Sequence, residues 1–368
     1  MQRYSRRHWL TYSSLVAGGM VIVQGGCQRP SGSSPSPTTS SPPLVGASQQ
    51  SQLRGAEAVI EKLPAVFPDK APTSWEWLEN KPVTIGLLMI STAAPYLAGY
   101  RKAFDVEAKR LNLNVVALDA NNDPARQAAQ AEDLIGKGVA VLCFWPVDAK
   151  AIVPSVRKAY DAGIPLVCTN TWTEPSALNY FKGFVGASMI EEGVIAAQLM
   201  AEALHGKGKI AVIEGNPGQD ATYWRSTAFM DELNRIAPDI KILDRQTARW
   251  DRARATAVAE NFLTTYPDLN AIMAQDDNMA MGALQAIKAA GKSNVVRLIS
   301  ICASKEGLEA IRDGEIYGSS TQSPSFEGIY TARVIRDVAN GWPPVPRWIR
   351  NPVLRVDQKN VHQVFGEW

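Results

Sequence analysis

The sequence predicts an α/β fold built as two similar doubly wound parallel-sheet domains, and three observations carry that expectation. From Val83 onward, short apolar runs rich in β-branched residues alternate with amphipathic stretches. Continuous apolar runs between amphipathic helices mark parallel strands covered on both faces. The chain offers ten such runs, too many for one small sheet, and they fall into two groups with the change at Gly186 to Met189. The region from about Lys81 to Trp368 is also long enough for two domains of ordinary size.

Three different segments precede that region. Residues 1–26 carry Arg3, Arg6 and Arg7, no acidic residue, and an apolar run from Leu15 to Val23. That run is shorter than the ~20 apolar residues needed to span a bilayer, so the segment reads as a signal peptide. Ser5 to Leu10 resembles a twin-arginine export signal, and a basic head fits the general secretory route equally well. Val23-Gln24-Gly25-Gly26-Cys27 resembles a lipobox, with Gln24 in place of the usual Leu, and makes Cys27 the lipidation site. Residues 27–52 hold this anchor and a Ser/Pro-rich spacer with little to bury. Residues 53–81 form an N-terminal extension whose LRGAEAVIEKLPAVF stretch fits a short helix stopped by Pro64.

Beyond the extension, candidate strands lie at 83–90, 114–118, 139–144, 165–169 and 182–185 in the first group. The second group is 209–213, 240–244, 271–274, 296–301 and 317–321. Helices are expected between them, among them 95–111, 124–136, 148–162 and 189–205. The stretch Val83 to Asn122 is one βαβ unit with a Ser-Thr-x-x-Pro-aromatic loop after its first strand. In doubly wound sheets ligands bind outside the carboxyl ends of the strands, where such loops lie.

Composition excludes several functions. Lys and Arg number 38 against 36 Asp and Glu, and removing residues 1–26 takes away three arginines, leaving a net charge of −1. No basic surface for nucleic acid follows from that balance. Cys143, Cys168 and Cys302 sit in apolar strand-like segments without metal-ligand spacing and read as buried thiols, with a disulfide between two of them the alternative. Only three histidines occur, His8, His205 and His362, and no triad, carboxylate dyad or phosphate loop accompanies them. Neither an enzyme nor a cofactor is expected, and no metal.

Several further stretches recur in a fixed order. Ala131 to Gly138 precedes the third strand, Pro146-Val147-Asp148 follows it, and Ala162 to Val167 opens the fourth. Val185 to Ser188 leads into Glu192-Gly193, and Ala274 to Ala283 is followed at a short distance by Ala290-Gly291-Lys292. In type and spacing these resemble the ribose-type periplasmic sugar-binding proteins over residues 82 to about 358. The resemblance implies the periplasmic binding protein type I fold, with lobes 82–187 plus 323–350 and 188–322 plus 351–368. The chain would cross between them three times, near Ala187, Gln322 and Asn351.

The resemblance also implies a cleft in which aromatic rings cover the sugar and polar side chains grip its hydroxyls. Tyr96 and Trp250 take aromatic places, Arg225 the arginine at a loop-helix junction, Asp276 a carboxylate or amide, and Gln322 an amide. Asn170 and Thr171 stand where the family has an Asp-Arg pair, and Cys302 where it has an Asp. Ser91 lies in the first loop, Trp145 beside the third and Trp172 beside the altered pair. The pocket is therefore expected to be more aromatic and less charged than one built for ribose.

The expected protein is an extracytoplasmic substrate-binding lipoprotein of an ABC importer, a monomer held to the membrane by lipid. Its partners would be a sugar or related small polar ligand and the transporter's permease. A ligand-sensing receptor for a chemotaxis or sensor-kinase system would use the same fold. Sugar-responsive repressors also share the core, but here a signal peptide and spacer stand where their DNA-binding helices would be.

Overall fold

The computed structural model describes residues 81–342 and 347–368. Export signal, Cys27, spacer and nearly all of the N-terminal extension lie outside them. The described chain opens with β1 (Val83–Met89), α1 (Pro95–Arg110), β2 (Leu113–Asp119), α2 (Pro124–Gly136), β3 (Leu142–Phe144), α3 (Val153–Asp161), β4 (Leu166–Thr169) and β5 (Phe181–Gly186). It then repeats the plan with α4 (Met189–Ala203), β6 (Lys207–Glu214), α5 (Asp220–Ile236), β7 (Asp239–Thr247), α6 (Arg252–Thr265), β8 (Ala271–Ala274), α7 (Asp277–Ala289), β9 (Arg297–Ile299), α8 (Lys305–Arg312) and β10 (Gly318–Ser320). α9 (Pro324–Ala339), β11 (Trp348–Arg350) and β12 (Arg355–Asp357) follow.

Two six-stranded sheets result, ordered β11-β5-β4-β3-β1-β2 and β12-β10-β9-β8-β6-β7. Each of the ten expected strands is present. β11 and β12 were not among them: each is three residues long, and Trp348-Ile349-Arg350 and Arg355-Val356-Asp357 carry no continuous apolar run. β11 runs parallel to β5, whereas β12 is antiparallel to β10. The two orders are the same if β6 to β10 stand for β1 to β5, so each lobe is one doubly wound unit with its switch between strands one and three.

Burial on both faces explains the unbroken apolar strands. Ile85, Leu87 and Met89 of β1 pack on one side with Tyr100 and Phe104 of α1 and Ile335 of α9. Leu88 points to the opposite side, toward Leu134 of α2 and Val156 of α3. Gly86 faces that side too, where a Cβ would stand 2.7 Å from Leu142 and 2.8 Å from Leu134, so its bareness lets α2 sit close. The second sheet is covered by α4 and α5 on one side and by α6, α7 and α8 on the other. Caps fix most helix starts: Asp123 accepts from Ala125 and Arg126, Ser188 from Glu191, Asp251 from Arg254 and Ser323 from Phe326.

The chain leaves β5 at Gly186 and enters α4 at Met189, leaves β10 for α9 through Gln322, and leaves β11 for β12 through Asn351. Asn351 ties these passages together. Its N–H donates to Gly186 O (3.0 Å), and its amide donates to Ser323 O (2.9 Å) and to Glu327 Oε1 (3.0 Å). Cys143, Cys168 and Cys302 are buried free thiols, so a disulfide between two of them is set aside.

Candidate ligand-binding cleft

A cavity of about 460 Å³ lies between the carboxyl ends of the two sheets. The first lobe contributes the loop after β1, with buried Ser91, and the first turn of α1, with Tyr96. Trp145 follows β3, in a loop held by Gln127: its amide donates to Trp145 O (2.8 Å) and accepts from the Val147 N–H (2.9 Å). Tyr96 stands edge-on to Trp145 at 6.3 Å and to Trp368 at 5.3 Å, so three rings make one wall. The Tyr96 hydroxyl is buried near Glu327, and burial, then the charge of that carboxylate, pushes its pKa up.

The second lobe supplies the facing wall. Trp250 lies flat against Gly215, where a Cβ would stand 1.9 Å from its ring, and its Nε1–H donates to Gln219 Oε1 at 2.6 Å. Trp250 itself is in the left-handed region, at φ 62°, as are Asn121, Asn122, Asn170 and Cys302 around the same cleft. Such backbone costs about 1–3 kcal/mol per residue and gathers at functional sites.

Arg225 is not at a loop junction, as expected, but in the second turn of α5. It is 4% exposed and donates through Nε to Glu192 (2.7 Å), through Nη1 to Gln275 O (2.8 Å) and through Nη2 to Gln322 Oε1 (2.8 Å). Gln322 donates in turn to Glu327 Oε1 (3.1 Å), whose other oxygen accepts from Asn170 Nδ2 (2.7 Å). A buried polar chain thus runs Asn170, Glu327, Gln322, Arg225, Glu192 behind the cleft. Burial raises Glu192 against the pull of Arg225, and Glu192 Oε1 has no hydrogen-bond partner. Asp276 caps α7, accepting from the Met279 N–H at 2.7 Å, and burial pushes its pKa up to about 7 against that bond and the Arg225 charge. The Cys302 thiol, raised by burial, lies 3.8 Å from Arg225 Nη2 and donates to Gln322 at 3.4 Å.

The cavity therefore gathers Ser91, Tyr96, Trp145, Asn170, Arg225, Trp250, Asp276, Cys302 and Gln322. Two expected residues turn away. Trp172 stacks on Phe184 at 3.5 Å in the first lobe's core, and the Thr171 hydroxyl donates to Pro146 O at 3.3 Å. Asn170 at φ 61° turns the chain, so the side chains after it pass under the loop. Sequence reasoning missed Asn121, Asn122, Asn216, Gln219 and Trp368 in the walls and Glu327 behind them. Asn216 was visible in the Gly-Asn-Pro-Gly loop, and Glu327 as an acid in the first turn of α9.

The lobes meet beyond the cavity as well as at the hinge. Asn216 donates to Asn122 Oδ1 (3.0 Å), the Ala149 N–H to Gly218 O (3.2 Å), and the Trp172 N–H to Asp220 Oδ2 (3.2 Å). These contacts join the two lobes across the cleft mouth. Among the described residues, no three His, Cys, Asp or Glu are placed to hold a metal.

Residues 85–342 match the family model described as periplasmic binding protein domain. The chain belongs to the ribose-type periplasmic sugar-binding proteins. The ribose import binding protein of Bacillus subtilis (strain 168) is 31% identical over 292 residues, covering 78% of this chain and 93% of that one. The ABC transporter solute binding protein from Bacillus halodurans C-125 with bound myo-inositol has a TM-score of 0.73 at 26% identity, covering 77% and 98%. The fructose binding periplasmic domain of a hybrid two component system has a TM-score of 0.71 at 26% identity, covering 76% and 92%. This periplasmic binding protein thus shares its fold and its non-enzymatic family with extracytoplasmic sugar receptors.

Proposed function

We propose that this protein is the substrate-binding lipoprotein of an ABC importer, anchored through Cys27, and that it closes on a sugar or polyol other than ribose. The cavity between the lobes carries the reading: its volume is that of a small-ligand site, and its walls suit a polyol. Tyr96 and Trp145 face Trp250 and offer surfaces for C–H faces. Asn170, Gln322, Asn216, Asp276 and Arg225 offer donors and acceptors for hydroxyls. α1 and α5 begin without a side-chain cap, at Ala94 and Gln219, and both starts lie in the cleft wall, which adds backbone N–H donors. Asn170 and Cys302 stand where ribose receptors of the family carry charge, which argues for a different hydroxyl pattern. Thr171 and Trp172 are withdrawn from the ligand set, since both point into the core.

Titration calorimetry of the mature protein against D-ribose, D-allose, xylitol and myo-inositol tests this. One of the last three is expected to bind at least tenfold more tightly than D-ribose. Absence of binding by all four would sink the polyol reading. A second reading, a receptor feeding a sensor kinase, is favoured by the likeness to the fructose-binding domain of a two component system. An adjacent ATPase and permease gene pair supports import, and an adjacent histidine kinase supports sensing.

A further inference from the structure

We propose that the segment Gly366–Trp368 straps the two lobes together and that Trp368 is a ligand-contacting wall of the cleft. The second half of the proposal rests on the cleft's being a sugar or polyol site. The segment is fastened to elements of both lobes. Toward the first lobe, the Glu367 carboxylate accepts from the Ser323 hydroxyl (2.7 and 2.8 Å) and from the Ser325 N–H (3.2 Å), at the start of α9. An acid is favoured there by the partial positive charge of a helix N-terminus. Toward the second lobe, Trp368 O accepts from the Lys305 N–H at 2.8 Å, at the start of α8. Gly366 runs so close to that start that a Cβ would stand 2.6 Å from Lys305 Cα.

The Trp368 ring continues the same bridge. It meets Tyr96 edge-on in the first lobe and packs against the second-lobe cluster that holds Ile301 and Cys302. It also lines the cavity. Opening the lobes would have to part Trp368 from Tyr96 or draw the backbone off Lys305, so this segment resists opening outside the three hinge passages. A ligand seated against the ring would be held by a side chain that answers to both lobes at once.

The test uses the mature protein and three variants: Trp368→Ala, Trp368→Phe and Glu367→Ala. Hydrogen exchange without ligand is expected to speed up at least tenfold at Ser325 and Phe326 in Glu367→Ala and Trp368→Ala. Unchanged exchange in both variants overturns the strap. Calorimetry with myo-inositol and xylitol is expected to show at least a tenfold loss in Trp368→Ala and under threefold in Trp368→Phe. Wild-type affinity in Trp368→Ala overturns the wall. If the wild type binds neither probe, the polyol reading fails and the wall with it, while the strap is still decided by the exchange rates.

Discussion

Asp276 carries two duties that pull on its proton in opposite directions. Capping α7 favours the carboxylate, burial disfavours it, and burial wins, leaving the group near pH 7 against an ordinary 3.8. Neighbouring Asp277 is pushed up to about 6, also by burial. A carboxyl raised in the folded state contributes stability that is complete below about pH 4 and is lost as pH rises through 7. The unliganded melting temperature is therefore expected to fall between pH 5 and 8, and Asp276→Asn, which keeps a capping oxygen, should flatten that slope in a calorimetric scan. Arg225 yields a different expectation. Arg225→Ala strands Glu192 in the core, at a cost of about 3–5 kcal/mol in urea denaturation of the unliganded protein. Arg225→Met with Glu192→Met should recover much of it. Affinity lost in Arg225→Ala alone thus mixes folding with binding. Trp250→Ala is the cleaner probe of the cleft, with a calorimetric loss of ~1–3 kcal/mol in affinity. The family resemblance pointed to Arg225 and Trp250, and both line the cavity. It could not reveal that Trp172 turns inward, because that depends on a left-handed backbone at Asn170. Nor could it find Trp368, which meets the cleft only through tertiary packing.

Elements with a continuous apolar run or a clear cap were readable in the sequence, even the three-residue β3 and β9, and those without either were not. α2 begins with the Asp123-Pro124 pair and ends at Gly136, and its bounds follow from the sequence alone. α3 was expected from 148, yet begins at Val153, because Asp148 spends its carboxylate on the N–H groups of Lys150 and Ala151 in a turn. β11 and β12 owe their existence to the sheet edges beside them rather than to any pattern of their own. Contact between α4 and α5 depends on Gly193, where a Cβ would stand 2.6 Å from Arg225 O and 3.0 Å from Phe229 N. Both neighbours are backbone and cannot rotate away. Gly193→Ala is expected to destabilise by about 1–3 kcal/mol in urea denaturation, and an unchanged midpoint would show that these helices separate freely.

Taken as one body, the molecule has its lobes joined at the hinge bound by Asn351, along the Gly366–Trp368 segment, and at the mouth by Asn122–Asn216 and Ala149–Gly218. Gly218 lies at φ 83°, with a Cβ position 2.1 Å from Asp148 Oδ2 across the mouth. Gly218→Ala should therefore obstruct closure. Small-angle scattering with saturating myo-inositol is expected to shrink the wild type more than this variant, and equal shrinkage would exclude a role for the mouth. The sheet orders carry one more consequence, for the history of the chain. β11 completes a sheet begun at Val83, and α9 covers it, yet both are made only after β6 to β10. Neither lobe is a continuous stretch of polypeptide. During synthesis the first lobe must wait, with the edge of β5 unpaired, until most of the second has emerged. The distant pairing that finishes it is of the kind that slows folding. A fragment ending at Gly186 would keep that open edge and lack the α9 cover, so the first lobe cannot be completed from one continuous stretch of chain.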